Sequence, residues 1–415
     1  MAGERDVYDV CVIGAGIEGS STARYLATRG KKTLLLEQFH LPHSRGSSHG
    51  STRLVRHGYS THVFSDLMPE AFEMWRDIEN KAGKELIKKV GLLSVERPPF
   101  NELSKLTAIV RSLGVKCEVL SRDEIRKRFP CIKLGNHWNG TFEPEGGFIM
   151  ASQALQAIQS QFVEFGGKLC DGEKVENIEP GSIVQIHTAR NVYKAKSVII
   201  AAGPWVNEVL KPLGIQLPVE IWRVLLSYWK PQDPKKYSVE GGFPGFIVYL
   251  SEHEHIYGFP VYEYPGLVKV SIGLPVHNIL ITFKENFQSI CHHTGVEISS
   301  PESREEVRTN EMYVKKLSEF IKADFDGIDP VPKILEACIY TVTPDHSFFL
   351  DHHPLHHNIV IGAGFSENFH HATDTDSRWL PVVGKILSQL VLGEKPSYDM
   401  GPFKISRFKN VKSSL

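Results

Sequence analysis

The sequence lacks the features of a membrane protein or a nucleic-acid-binding protein. No apolar run approaches the roughly 20 residues that a helix needs to cross a bilayer. The 47 Lys and Arg residues nearly balance the 48 Asp and Glu residues, so the formal net charge is -1 and there is no basic excess to neutralise phosphates. We therefore expect neither a membrane nor a nucleic acid among the partners of this protein.

Closely spaced cysteines are also missing. The six cysteines are far apart and form neither a CxxC motif nor a small disulfide framework, which favours a reducing compartment and predicts no metal site. The N-terminus enters an apolar strand directly, so no secretory segment is expected. The last residues, Ser413-Ser414-Leu415, approach the peroxisomal address Ser-Lys-Leu without its basic residue. They predict a peroxisomal protein that binds the import receptor; a frayed tail on a cytoplasmic protein is the alternative.

A glycine-rich loop near the start of the chain is the strongest motif. The run Val7 to Ile13 predicts a strand, the stretch Ile17 to Arg29 a helix, and the run Lys32 to Glu37 a second strand. The loop between the first strand and the helix contains Gly14, Gly16 and Gly19, spaced for a tight turn, for close approach to a pyrophosphate and for helix packing. Glu37 lies where a carboxylate accepts hydrogen bonds from ribose hydroxyls. The loop predicts dinucleotide binding, but it does not separate FAD from NAD.

The rest of the chain indicates a discontinuous nucleotide-binding domain. Two later runs, 197–203 and 358–364, repeat the pattern of a strand that ends in glycine, and residues 71–90 and 101–113 resemble helices. Aromatic and branched residues over Val219 to Trp229 and Phe243 to Ser271 predict antiparallel strands. We predict a nucleotide-binding domain from residues 1–80, 145–215 and 330–400, a β-rich substrate domain from residues 81–144 and 216–329, and a tail from 401 to 415.

Several longer motifs carry a family resemblance. They are His43-Ser44-Arg45-Gly46-Ser47-Ser48-His49-Gly50-Ser51-Thr52-Arg53-Leu54-Val55-Arg56-His57, Gly203-Pro204-Trp205, Ile256-Tyr257-Gly258-Phe259-Pro260, Gly266-Leu267-Val268-Lys269-Val270, Cys338-Ile339-Tyr340-Thr341-Val342-Thr343-Pro344-Asp345 and Gly362-Ala363-Gly364-Phe365-Ser366. In this order they resemble the monomeric sarcosine oxidases and the peroxisomal sarcosine/pipecolate oxidases. The resemblance implies a mixed α/β and α+β fold, in which a Rossmann-type, glutathione-reductase-like FAD domain receives an antiparallel β-rich insertion.

The same resemblance implies roles for individual residues. It assigns Arg56 to the substrate carboxylate, which a guanidinium can hold through two hydrogen bonds, and it assigns Arg53 to the flavin. It places Tyr257 and Tyr340 near the substrate, and Lys269 where a cation would stabilise charge that develops on oxygen. Cys338 matches the cysteine that joins the flavin as a thioether. The remaining cofactor positions are Ser48, His49, Val175, Gly203 and Gly364.

Two segments depart from the family pattern. The stretch from Ile272 to Ile290 reads as an insertion into a strand, after which His292 is the best match for an active-site histidine; an alternative alignment places Gly273 there. A second segment, from Glu367 to Trp379, lacks the family's glycines and lysine, and Arg378 is the cation that could replace the lysine. We expect these departures to weaken substrate binding and turnover.

The reaction implied is the FAD-dependent oxidation of small secondary amino acids, with sarcosine, L-pipecolate and possibly L-proline as substrates. The product would be an imine, with O2 reduced to hydrogen peroxide. Two alternatives stay open. One is a relative of the FAD-dependent D-amino-acid oxidases or dehydrogenases, and the other is a flavin-binding isoform with impaired activity.

Overall fold

The computed structural model describes residues 7–59, 61–96, 101–135, 138–251, 254–273, 296–305, 311–365 and 379–408. The helices are α1 (Ile17–Thr28), α2 (His62–Ser65), α3 (Met68–Ala82), α4 (Glu102–Ser112), α5 (Arg122–Arg128), α6 (Ala151–Glu164), α7 (Val206–Leu210), α8 (Glu311–Asp324) and α9 (Leu380–Val391). The strands are β1 (Val7–Ile13), β2 (Thr33–Leu36), β3 (Thr52–Val55), β4 (Ile87–Lys88), β5 (Leu92–Glu96), β6 (Glu118–Ser121), β7 (Asn139–Glu143), β8 (Gly147–Met150), β9 (Lys168–Cys170), β10 (Val175–Glu179), β11 (Val184–Thr188), β12 (Val192–Ile200), β13 (Glu220–Trp229), β14 (Gly245–Ser251), β15 (Glu254–Tyr264), β16 (Leu267–Gly273), β17 (Val296–Glu297), β18 (Ile334–Val342), β19 (Phe349–His352) and β20 (Ile359–Ala363).

The first sheet contains the predicted βαβ unit. Its parallel strands lie in the order β9-β2-β1-β12-β20, and β10, β11 and β19 extend it in antiparallel pairing. Strand β1 is a nearly continuous apolar run because both faces of the sheet are covered. Val10 and Val12 pack into the core that includes residues of α1, α3, α6 and α9, whereas Cys11 and Ile13 pack into the core on the other side. This Rossmann-type arrangement places the end of β1, the glycine loop and the start of α1 at the carboxyl ends of the parallel strands.

The second sheet has two faces of different character. Its order is β17-β13-β16-β15-β14-β5-β7-β6, and β18 pairs along the opposite edge of β13, from Glu220 to Tyr228. Most neighbours are antiparallel, as predicted, but β14 and β5 are parallel. Residues such as Leu225, Val248 and Val270 share a core with residues of α5 and α8. Because side chains alternate along a strand, their neighbours in sequence point to the opposite face. That opposite face carries several of the predicted site residues.

Three segments differ from the predicted boundaries. The helix expected over 71–90 ends at Ala82, since Gly83 adopts a left-handed conformation (φ 59°) that closes α3, and residues 87–88 form a strand instead. Strand β18, predicted in the nucleotide-binding part, belongs to the second sheet. Within the predicted tail, Phe403 and Ile405 are buried in the cores of the first sheet. Residues of the predicted tail therefore belong to these cores.

Strands β3, β8 and β4 form a small third sheet, which is antiparallel. In it, Arg53 is paired with Ile149. None of the described helices is both long enough and apolar enough to span a membrane.

Candidate active site

The glycine loop has the close contacts that its spacing predicts. Gly14 has a φ of +101°, and a Cβ atom there would lie 2.4 Å from the Ala201 carbonyl oxygen. A Cβ atom on Gly19 would lie 1.9 Å from the Gly14 carbonyl oxygen, so α1 packs against the loop only because residue 19 has no side chain. Gly16 begins the helix beside Ser48, whose hydroxyl accepts a hydrogen bond from the Ile17 amide at 3.0 Å. The loop therefore presents backbone at a helix N-terminus, where anions bind.

Glu37 is buried at the end of β2, beside the same loop. Its carboxylate accepts hydrogen bonds from the Ala15 amide at 2.9 Å and from the Phe39 amide at 3.1 Å. These bonds fix the carboxylate at the mouth of the loop. An anionic acceptor at this place suits the hydroxyls of a ribose, as the spacing in sequence predicts.

A cleft that is open to solvent runs from the loop along the carboxyl ends of the parallel strands of the first sheet. Its lining extends from Gly14 past His49 to Thr341 and Phe365, an elongated shape that suits a dinucleotide. Seven of the predicted cofactor residues line it: Gly14, Gly16, Glu37, Ser48, His49, Val175 and Gly203. Gly19 supports the loop from beneath. Gly364 (φ +76°) precedes Phe365, which also lines the cleft.

The register of the second sheet gathers the other predicted residues on one face. Strand β18 pairs Cys338 with Val224 and Tyr340 with Trp222, while β13 pairs Tyr228 with Lys269. Since directly paired residues point to the same face, the side chains of Cys338, Tyr340 and Lys269 share a face. Tyr257 is on it too, because β15 pairs Phe259 with Lys269 and Tyr257 lies two residues from Phe259. Thr341, the residue after Tyr340 on β18, lines the cleft.

Arg53 connects this face to the small sheet. It is 2% exposed and donates to the carbonyl oxygens of Ser47 and His49. Its guanidinium nitrogen lies 4.0 Å from the Cys338 sulfur. The guanidinium is positioned to donate a hydrogen bond to this sulfur. The predicted flavin arginine and the predicted flavin cysteine are therefore neighbours.

His49 is a neutral group at the end of the cleft. Burial lowers its pKa to about 4, and the charge of Arg53 acts in the same direction, although the Gly46 carbonyl opposes it. Nδ1 lies 2.5 Å from that carbonyl oxygen, so Nδ1 carries the proton and Nε2 is left as an acceptor.

Arg56 lies just beyond β3 and is 1% exposed. It donates a hydrogen bond to the Tyr249 hydroxyl at 3.0 Å, and its guanidinium carbon lies 4.9 Å from the centre of the Tyr59 ring. Tyr249 and Tyr257 belong to the same cluster of buried side chains. The predicted carboxylate anchor is thus held among aromatic side chains close to one of the predicted substrate tyrosines.

Lys269 is a buried cation with an acidic neighbour. Its ammonium group is 2% exposed and lies 3.2 Å from the Glu263 carboxylate, whose side chain is 5% exposed. Glu263 also accepts hydrogen bonds from Thr52 and from the Tyr228 hydroxyl. Burial alone would raise the pKa of Glu263, but Lys269 and these hydroxyls hold the pKa below its ordinary value. Glu263 is therefore a carboxylate, and it links Lys269 to β3.

The sequence matches the family model described as "FAD dependent oxidoreductase" over residues 9–373. This chain belongs to the FAD-dependent oxidoreductases. The match covers both the glycine loop and the strands that carry Lys269 and Cys338, and it confirms the predicted cofactor.

Similar proteins agree with this family over the full length. The chain is 41% identical over 414 residues to the peroxisomal sarcosine oxidase of Homo sapiens, with 99% of each chain covered. It is 31% identical over 405 residues to a monomeric sarcosine oxidase of Arthrobacter sp., with 96% of each covered. Among solved structures, NikD, described as an unusual amino acid oxidase, superposes with a TM-score of 0.77 at 24% identity over 99% of this chain and 98% of that one. L-proline dehydrogenase from P. horikoshii gives a TM-score of 0.78 at 18% identity, over 97% and 98%. The last two similarities confirm the predicted fold.

The contacts of this oxidoreductase fit an FAD molecule. The loop from Gly14 to Gly19 and the N-terminus of α1 suit the pyrophosphate, and Glu37 suits a ribose. The lining of the cleft reaches His49 and Thr341, and Thr341 lies on β18 three residues after Cys338. Bound there, the flavin would accept a hydride equivalent from a substrate carbon and pass the electrons onward.

Two predicted residues, His292 and Arg378, lie outside the described residues. The strand before the first departure can be traced further than expected: Ile272 is buried opposite Ile256, and Gly273 pairs with His255. The first two residues of the proposed insertion therefore continue β16. The alternative alignment, with Gly273 at the histidine position, remains open.

Some residues at the site carry no recognisable sequence signal. Gln159, on α6, donates to the Ala15 carbonyl oxygen at 2.9 Å and lines the cleft, yet in sequence it is one polar residue on a helix. Glu263 was missed for a similar reason, since an acid near the turn after β15 resembles a solvent-exposed residue. Its position between Tyr262 and Tyr264, six residues before the lysine predicted for the oxygen reaction, was the available signal. Within the described ranges, no group of three His, Cys, Asp or Glu residues could hold a metal ion.

Proposed function

We propose that this protein oxidises small secondary amino acids, with sarcosine, L-pipecolate and L-proline as candidate substrates. The electrons would pass through FAD to O2, giving an imine and hydrogen peroxide. The observation that carries the proposal is a set of three buried cations, each no more than 2% exposed: Arg53 contacts Cys338, Arg56 contacts Tyr249, and Lys269 lies on the same face of the second sheet as Cys338. Such a group suits a small anionic substrate and the negative charge that develops on oxygen.

In this proposal Arg56 binds the substrate carboxylate. A planar guanidinium can donate two parallel hydrogen bonds to a carboxylate, which fixes the orientation of the carbon beside the nitrogen. Tyr249 and Tyr59 hold the guanidinium, while Tyr257 and Tyr340 would form apolar walls with hydroxyls for the amine side. The names of the sarcosine oxidase relatives support this substrate class.

Lys269 would serve the oxygen reaction. A fixed ammonium in a water-poor site stabilises charge that develops on O2 more strongly than water does, because no solvent has to reorganise. Arg53 would hold the flavin end of the cleft. Its 4.0 Å contact with the Cys338 sulfur supports a covalent thioether between Cys338 and the flavin.

A substrate panel tests the reaction class. We expect the FAD-loaded protein to produce peroxide with sarcosine, L-pipecolate or L-proline, and little with D-alanine or glycine. Peroxide from D-alanine alone would favour a D-amino-acid oxidase relative. Reduction of an artificial dye without peroxide would favour a dehydrogenase, and a flavin that no substrate reduces would favour an inactive isoform.

The location in the cell is part of the proposal. The name of the human relative and the terminal Ser413-Ser414-Leu415 support a peroxisomal protein. A fluorescent fusion at the N-terminus should collect in peroxisomes, and removing the last three residues should release it into the cytoplasm. A signal that stays in the cytoplasm with the tail intact would reject this assignment.

A further inference from the structure

A chain of hydrogen bonds leads from the buried Lys269 towards solvent. The Lys269 ammonium lies 3.2 Å from one oxygen of Glu263, and the Tyr228 hydroxyl lies 2.6 Å from the other. The same hydroxyl lies 2.9 Å from a carboxyl oxygen of Glu336, whose second oxygen accepts a hydrogen bond from Tyr264. Lys269 and Tyr228 are buried, whereas Glu336 and Tyr264 are partly exposed. The path therefore crosses the wall of the site.

The tyrosine in the middle has one proton and two acidic neighbours. A hydroxyl donates one hydrogen bond, so its second contact is satisfied only when the other carboxyl carries a proton and donates to the hydroxyl oxygen. Because Glu263 faces the Lys269 ammonium, a proton that comes from solvent would reach the Tyr228 hydroxyl through Glu336. Burial and the charge of Glu263 raise the pKa of Tyr228, so the tyrosine keeps its proton at neutral pH.

We propose that Lys269, Glu263, Tyr228 and Glu336 form a proton relay that supplies the oxygen reaction from solvent. In this relay Glu336 takes up a proton and passes it to the Tyr228 hydroxyl, which at the same time releases its own proton to Glu263. Glu263 then reprotonates Lys269. Tyr228 acts as a neutral hydroxyl throughout.

The proton balance requires such a source. O2 needs two electrons and two protons to become hydrogen peroxide. When bound and reduced, the cofactor would supply both electrons and one proton, so the second proton must reach the site from outside. Lys269 would donate this proton to the nascent peroxide anion and recover it from Glu263. The relay rests on the proposed oxygen role of Lys269.

A purely structural network is the competing explanation. Glu263 does bridge β3 and β16, through Thr52 and Lys269. An ion pair alone, however, requires neither the buried Tyr228 nor the second carboxyl, and bringing Glu263 and Glu336 to one hydroxyl is electrostatically unfavourable unless a proton is shared. A proton relay accounts for both the buried Tyr228 and the second carboxyl beside it.

Rapid mixing of the reduced, FAD-loaded protein with O2 separates the two explanations. In Tyr228→Phe we expect reoxidation to slow about tenfold or more, with a larger slowing in D2O, while flavin reduction by substrate keeps its rate. A small weak acid such as imidazolium should restore part of the rate. Tyr237→Phe is the matched control, because Tyr237 is also buried in this sheet's core but donates to the Asp326 carbonyl oxygen. Unchanged reoxidation in Tyr228→Phe, or an equal loss in both half-reactions, would overturn the relay.

Infrared spectroscopy detects a protonated carboxyl group without catalytic turnover. On acidification of the cofactor-free protein, the C=O stretch of a protonated carboxyl should appear, disappear in Glu336→Gln and move to higher frequency in Tyr228→Phe. Identical spectra in the wild type and Tyr228→Phe would reject the proton on Glu336 beside Tyr228. Lys269→Met tests the proposed function separately. If it reoxidises at the wild-type rate, the oxygen role of Lys269 fails; if it is slow while Tyr228→Phe is normal, only the relay fails.

Discussion

At the scale of residues, buried charge determines what the site can hold. Arg56 is a fully buried arginine held by tyrosines. Arg56→Lys keeps the charge but loses the planar fork, so we expect the Kd of an anionic substrate analogue to rise by the equivalent of about 1.5–3 kcal/mol. Binding is measured by perturbation of the flavin spectrum.

Arg24→Lys provides the control for Arg56, since Arg24 is also buried but bonds to Gln161 and Asp77, away from the site. An affinity that is the same in the wild type and Arg56→Lys would remove Arg56 from the substrate site.

Cys338 makes a covalent prediction. The flavin should remain with the acid-precipitated wild-type protein and be released from Cys338→Ser, because the serine hydroxyl does not ionise readily enough to replace the thiolate beside Arg53. Cys117→Ser, at a buried cysteine in another cluster, should behave like the wild type. Flavin released equally from wild type and Cys338→Ser would contradict the linkage.

The lowered pKa of His49 predicts that the folding stability of the cofactor-free protein depends on pH. Its folded pKa of about 4 lies below the ordinary 6.5, so the unfolded chain binds a proton there more readily. Stability contributed by neutral His49 is present above about pH 6.5 and is lost as the pH falls towards 4. Denaturant titrations should show wild type losing roughly 1–3 kcal/mol more than His49→Gln over this interval. If the wild type and His49→Gln lost the same stability over this interval, the pKa of His49 would be the same in the folded and unfolded states.

At the scale of elements, the contact between α1 and the glycine loop is the most constrained. Gly19→Ala would place a methyl group 1.9 Å from the Gly14 carbonyl oxygen, so the helix must move and FAD loading should fall at least tenfold. Gly30→Ala, after the same helix, has open space and only an unfavourable φ of +71°. It should cost about 1–2 kcal/mol of stability and leave loading intact. Comparable FAD retention in both variants would show that the contact is not needed.

The local sequence pattern predicts those strands whose apolar residues are contiguous in sequence. Strands β1, β13 and β15 lie within the predicted runs and β16 exceeds its run by two residues, since their apolar and aromatic residues fill cores on the faces of a sheet. The helix predicted to Val90 fails after Ala82 because a left-handed glycine decides its end. The assignment of β18 to the second sheet depends on pairing with β13, more than a hundred residues earlier, which no local pattern encodes.

At the scale of the whole molecule, the site draws on parts of the chain that are far apart in sequence. The glycine loop was predictable from spacing alone, whereas the roles of Arg56, Lys269 and Cys338 came from family resemblance. The network of Glu263, Tyr228 and Glu336 required the fold, because strand register brings together three polar residues from three different strands.

The central claim is that this chain is an FAD oxidase of secondary amino acids, and its two half-reactions test that claim most directly. Anaerobic mixing with sarcosine, L-pipecolate or L-proline should bleach the flavin absorbance of the loaded protein. Admission of O2 should then restore the oxidised spectrum with one peroxide formed per flavin. A flavin that stays oxidised with all three substrates, or a reduced flavin that O2 does not reoxidise, would contradict the account.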